Sequence, residues 1–86
     1  MNGFELTISS PDGDLFRGEA RKLIVRGTEG DLAVMAGHAP FVTAIKKGRC
    51  VVETAEGERK TGLIESGLLT VGKEKTTVLT SAVKWE

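Results

Sequence analysis

Apolar and polar side chains alternate along most of this chain. In residues 4–9, Phe4, Leu6 and Ile8 alternate with Glu5, Thr7 and Ser9. A period of two puts every second side chain on one face of an extended strand. Pro11, Asp12 and Gly13 then bring a preset φ, a side chain that bonds its own backbone, and freedom to take positive φ, so the chain turns. Residues 15–22 read as a short extended piece leading into a strand at Leu23, Ile24 and Val25, closed by Gly27. After a turn over residues 28–31, Leu32 and Val34 point inward on the next strand. Beyond a loop at residues 36–40, Phe41, Thr43 and Ile45 share one face and Val42 and Ala44 the other, which predicts a strand covered on both sides. Residues 49–66 read as a hairpin joined near 55–58, and residues 67–83 as a second one bent at 72–75. The best helical window, residues 31–46, is interrupted by Gly37 and Pro40 and rich in β-branched residues, so strand is expected there too. Turn signals every ~8 to 12 residues are the cadence of all-β folds. The pattern predicts one domain over residues 1–86, a flattened β-sandwich of two antiparallel sheets with roughly eight to ten short strands.

Charge narrows the possible partners. Twelve basic residues balance twelve acidic ones, so no long-range field draws the protein to nucleic acid or anionic lipid. The apolar runs are far too short to cross a bilayer, and membrane association is expected only through a partner. The single cysteine, Cys50, has no internal disulfide partner, and the start of the chain lacks the charged-then-apolar pattern of a secretory signal, so a reducing, cytoplasmic setting is expected.

Candidate chemistry is sparse. His38 is the one imidazole and Cys50 the one thiol. Cys50 lies in "RCVVE", where the strand pattern makes it a small buried hydrophobe instead of a nucleophile. Zinc wants about four nitrogen or sulfur ligands, and no carboxylate spacing resembles a calcium loop; no metal and no cofactor are expected. "GTEGD" opens a strand and carries two acids, which is wrong for a phosphate cradle. The basic patches "EGERKTG" and "IKKGR" contain no stacking aromatic, so nucleic-acid binding is not expected. Lys46, Lys47 and Arg49 surround a tight turn at Gly48, a group suited to an acidic partner or an anionic surface, or to a solvated turn that discourages edge pairing.

The order of the motifs says more than any one of them. "SPDGDLFRGEARKLIVRGTEGDLAVMAGHAPFVTAIKKG", then "IESGLLTV", then "TTVLTSA", resembles the amino-terminal β-sandwich domain of the epsilon subunit of F-type ATP synthases, in order from about residue 4 to residue 83. The chain departs from that pattern in its turns: Ala36 stands where proline is usual, Lys46, Lys47 and Gly48 replace a Lys-Pro-Gly corner, and Ser66 and Gly67 replace a double glycine. The family's carboxyl-terminal helical pair has no counterpart in these motifs, so its inhibitory and ATP-binding properties are not carried over.

The resemblance implies a non-catalytic subunit of the central stalk, peripheral at the cytoplasmic face of the inner (plasma) membrane, that joins the gamma subunit to the rotor ring of c subunits. It implies gamma-facing positions at Ser10, His38 and Thr43, a ring-facing end at Glu29, Gly30 and Asp31, and loops shaped by Gly37, Pro40 and Gly48. A free-standing β-sandwich ligand-binding module is the alternative. Such a module should offer exposed aromatics or a pocket of convergent polar groups, and Trp85, close to the end of the chain, is the aromatic outside the strand pattern, placed either to cap the core or to cover a surface.

Overall fold

The alternating segments become nine strands in the computed structural model, which describes residues 3–86: β1 (Phe4–Ser10), β2 (Gly13–Gly27), β3 (Gly30–Met35), β4 (Phe41–Ile45), β5 (Gly48–Thr54), β6 (Arg59–Ile64), β7 (Gly67–Val71), β8 (Lys75–Thr80) and β9 (Val83–Trp85). No helix occurs among the described residues. Both expected hairpins form, β5 with β6 and β7 with β8. The extended piece and the strand read separately in residues 15–25 are one strand, β2, of 15 residues.

Strand order is β4-β7-β8-β1-β2-β5-β6-β9, with β3 also on β2. The two layers of the sandwich therefore share β2. Its first half pairs with β1, from Ser10 opposite Gly13 to Phe4 opposite Ala20. Its second half pairs on one side with β5 and on the other with β3. The register slips between Ala20 and Lys22, making Arg21 the extra residue of a bulge; bulged strands bend and twist, which turns β2 from one layer into the other. Arg21 Nε donates to the Thr54 carbonyl at 3.4 Å across this corner. Seven of the eight strand ladders are antiparallel, as expected, and β1 with β8 is parallel, Thr7 opposite Thr77. The long chain between those two strands frees them from the geometry of a tight turn, which imposes antiparallel pairing.

Inward-facing residues of both layers meet in a single core. Leu6 and Ile8 of β1, Leu69 of β7 and Val78 of β8 pack with Leu23 of β2 and Cys50 and Val52 of β5, all completely buried. The expectation that β4 is covered on both faces fails: Ile45 is buried, but Val42 is 62% exposed. β4 turns Phe41, Thr43 and Ile45 inward and presents Val42 and Ala44 outward, both exposed.

Trp85 caps the core. A Cβ on Gly62 would come within 2.7 Å of Val83 and 3.0 Å of the Trp85 ring, so the glycine is what lets β9 lie close over β6. Lys60 Nζ lies 5.6 Å from the Trp85 ring centroid and 5.8 Å from that of Phe16, bridging the two layers at their edge while its ammonium stays in contact with water. Gly62→Ala should overpack this site, lower unfolding free energy by about 1–3 kcal/mol and shift the emission of the lone tryptophan to the red. Urea titration followed by tryptophan fluorescence reads both, and native-like emission with unchanged stability would show that β9 does not need the glycine.

Candidate interaction surfaces

Two surfaces stand apart from an ordinary solvated exterior. The first is the outer side of β4, β7, β8 and β1. Register aligns Ala44, Leu68, Leu79 and Ser9 in one row and Val42, Thr70, Thr77 and Thr7 in the next. Across four strands these rows carry no charge, in a chain where 28% of residues are charged. Val42, Leu68 and Leu79 are among its few exposed large hydrophobic side chains. Charge returns in the next row, where Glu5 of β1 lies opposite Lys75 of β8, and on β2 with Asp14 and Arg17, which pair with each other at 3.6 Å. Leu79 also forms the wall of an apolar groove with Ser9, Ser10 and Pro11 on one side and Thr80 and Ser81 on the other.

Sequence reasoning did not single out Val42, Leu68 or Leu79, although the signal was present. Leu68-Leu69 and Val78-Leu79 are apolar doublets, and in a strand of period two one member of each doublet must face outward.

Of the residues expected at a gamma interface, Ser10 and His38 lie at the two ends of this face, and Thr43 lies on the inner side of β4. Ser10 Oγ closes its own turn, accepting from the Asp12 amide at 3.1 Å and donating to the Gly13 carbonyl at 3.2 Å. It lies at the end of the face where Ser9 and Leu79 pair. His38 precedes the opposite end, where Phe41 pairs with Val71. Its amide donates to Met35 at 3.3 Å across a turn in which Gly37 has φ 83°, a conformation that favours glycine. The imidazole tilts at 46° to Phe41, centroids 5.0 Å apart, with Nδ1 3.1 Å from the Ala39 carbonyl. That bond requires the proton on Nδ1 and leaves Nε2 available to a partner. Thr43 shares the inner side of β4 with Phe41 and Ile45, half-buried; the side chains that β4 presents outward are Val42 and Ala44.

The second surface is the end of the molecule formed by the β2–β3 turn. Thr28 and Glu29 are exposed at its tip, Gly30 takes φ 120°, and Asp31 pairs across the strands with Arg26, Oδ1 to Nε 3.5 Å. The Lys46 amide donates to the Arg26 carbonyl at 2.8 Å, which ties the β4–β5 turn beside this tip. A Cβ on Gly48 would lie 3.0 Å from Arg26 Cβ; only a residue without one lets β5 start so close to the arginine stem.

Cys50 is completely buried, His38 lies exposed in its loop, and among the described residues no group of three or more His, Cys, Asp or Glu side chains is placed to hold a metal ion. Burial pushes the Cys50 thiol up from 9.0 to about 11, since a thiolate in an apolar core loses its solvation.

Residues 3–86 match the model of the ATP synthase delta/epsilon chain β-sandwich domain. The chain belongs to that family. It is 33% identical over 82 residues to the sodium-ion-specific ATP synthase epsilon chain of Acetobacterium woodii, covering 95% of this chain and 62% of that one. It is 38% identical over 79 residues to the ATP synthase epsilon chain of Xanthomonas campestris, covering 92% and 56%. The chain thus spans about three fifths of the length of the curated relatives it matches. Its fold superposes on a chain of the Euglena gracilis mitochondrial ATP synthase F1/c-ring structure with a TM-score of 0.89 at 22% identity, covering 96% of this chain and 53% of that one. A chain of the Tetrahymena thermophila central stalk and c-ring gives 0.75 at 14% identity, covering 93% and 64%.

The pH dependence of stability gives a check on the core position of Cys50. The native thiol keeps its proton between pH 9 and pH 11 while the unfolded chain loses it, so this contribution is full below pH 9 and is lost as pH rises through the native value. Between about pH 8 and about pH 10.5 the loss should be about 2 kcal/mol. Urea midpoints at the two pH values should show this drop in the native chain and a smaller one in Cys50→Ala; equal slopes would mean that the thiol is solvated.

Proposed function

We propose that this chain acts as the epsilon-type sandwich of an ATP synthase central stalk, a non-catalytic body that joins the gamma subunit to the rotor ring and so helps couple ion flow to ATP synthesis. Membership of the family across residues 3–86 carries this reading. On this reading the protein sits peripherally, at the cytoplasmic face of the membrane, held there by the complex; no helix among the described residues is long and apolar enough to cross a membrane.

The uncharged face of β4, β7, β8 and β1 suits the gamma contact. It exposes Val42, Leu68 and Leu79, Ser10 and the His38 loop lie at its two ends, and an apolar patch rimmed by polar residues is the usual mark of a protein partner. Glu29, Gly30 and Asp31 suit the ring contact, because a projecting acidic turn can pair with basic loops and fix orientation. Gly37, Pro40 and Gly48 shape the loops around these contacts. A ligand-binding module has less support: the grooves are open, and Trp85 packs on the core instead of standing free.

The test is co-purification. A tagged chain produced in its source cell should bring down alpha, beta and gamma subunits. A Val42→Glu/Leu79→Glu variant should lose gamma while keeping its melting temperature within a few degrees, because both side chains are exposed; His38→Ala should weaken gamma binding several-fold by calorimetry. Recovery of none of the three subunits by the native chain would overturn the reading, and full gamma binding by the double variant would move the contact to another face.

A further inference from the structure

We propose that the cleft between the β2–β3 and β4–β5 turns is a docking site for an acidic segment of a protein partner. The cleft is lined by Arg26, Asp31, Lys47, Gly48, Arg49 and Leu63. Three cations face one acid there, a local excess of two positive charges in a chain whose formal net charge is zero.

The cations are positioned in advance. The 2.8 Å bond from the Lys46 amide to the Arg26 carbonyl holds the lysine turn against β2. The bare Gly48 sets the start of β5 on the Arg26 stem, 3.0 Å from Cβ and 3.2 Å from Cδ. Among the described residues the ion pairs are Arg17 with Asp14 and Arg26 with Asp31, so Lys47 and Arg49 have none. The Arg26–Asp31 pair is long at 3.5 Å, and both side chains are more than half exposed; such pairs hold weakly and exchange readily. Its contact uses Nε, which leaves the terminal guanidinium nitrogens to grip an incoming carboxylate.

Leu63 decides between kinds of acidic partner. It is 46% exposed, lies directly opposite Arg49, and is opposite Lys84 on its other side. An apolar contact set among cations fits a peptide in which an apolar residue stands between acidic ones. An anionic bilayer fits poorly, because Glu29 and Asp31 project from the same end and a uniformly negative surface would repel them. This inference needs only the geometry of the cleft; it is independent of the gamma contact and shares Asp31 and the β2–β3 turn with the ring contact proposed above.

The probe is a synthetic peptide of four glutamates flanking one leucine, titrated into the isotopically labelled full chain at low salt and followed by amide chemical shifts. Shifts should concentrate at residues 26, 31, 47–49 and 63. Lys47→Gln/Arg49→Gln should weaken binding roughly tenfold, and Arg59→Gln, which is outside the cleft, should leave it unchanged. Replacing the peptide's leucine by serine should weaken binding several-fold, and added salt should weaken it throughout. Scattered shifts, equal binding by the double variant, or sedimentation with phosphatidylglycerol vesicles in the absence of any peptide response would each overturn the assignment. Because the readout needs no ATP synthase subunit, loss of the gamma interaction above would leave this result standing.

Discussion

One strand serving two layers is the constraint on which this molecule depends. β2 runs through both sheets, and the bulge at Arg21 is where it changes sides. Ala20, completely buried beside that bulge, leaves the bend free of bulk on its inner side. Everything else is registered against this strand: β1 and then β8, β7 and β4 follow from its first half, and β3, β5, β6 and β9 from its second. Since hydrogen bonding is continuous through β2, a shift of one layer against the other would have to break the ladder at the bulge. Close packing of Leu6, Leu23, Val52 and Leu69 across the layers opposes the same motion.

That continuity fixes where the two unusual surfaces lie. The uncharged face belongs to the layer started by the first half of β2, and the cationic cleft to the end of its second half. The two are joined through the paired backbone of β2 and the packed side chains of the core. On the proposed function, this suits a body that links two partners and has little use for an internal cavity. It also accounts for the absence of apposed chemistry: the one thiol occupies a core position and the one imidazole a loop, because packing and turn geometry, not reactivity, decide where each belongs.

Much of this was legible in the residues. Alternation in Phe4, Leu6 and Ile8, and the doublets and turns of the two hairpins, predict the strands that form, and Cys50 is as buried as its neighbours Val51 and Val52 require. What alternation does not encode is which strands neighbour one another. β2 reads as two pieces because its inward side changes at the bulge, so the period of two loses phase near Arg21 while the backbone stays extended. The parallel pairing of β1 with β8 joins segments from opposite ends of the chain, and no local pattern announces it. Val42 looked covered for a related reason: its strand is apolar on both sides, and only the strand order shows that one side faces out. The site residues behaved likewise. The turn at Glu29, Gly30 and Asp31 was visible as a turn, but its proximity to Lys47 and Arg49 comes from the pairing of β5 with β2 and the bond from the Lys46 amide to the Arg26 carbonyl.

Area decides how the uncharged face can work. Four strands about 4.8 Å apart cover roughly 15 Å, and two rows of outward side chains add about 7 Å along the strands. With side chains included, the patch is on the order of 300 Å², whereas a stable protein interface takes about 800 Å² from each partner. The face can therefore seed a contact without completing it. A partner seated there must also cover the groove at Ser10 and Pro11 or the His38 loop, which is why polar residues at the two ends of the face belong to the same surface as the leucines between them. Thr70 and Thr77 of the second row, which unlike Thr7 are not buried, have the same consequence. Their hydroxyls keep the exposed sheet wettable when no partner is bound, while their methyl groups leave it flat and apolar enough to be covered.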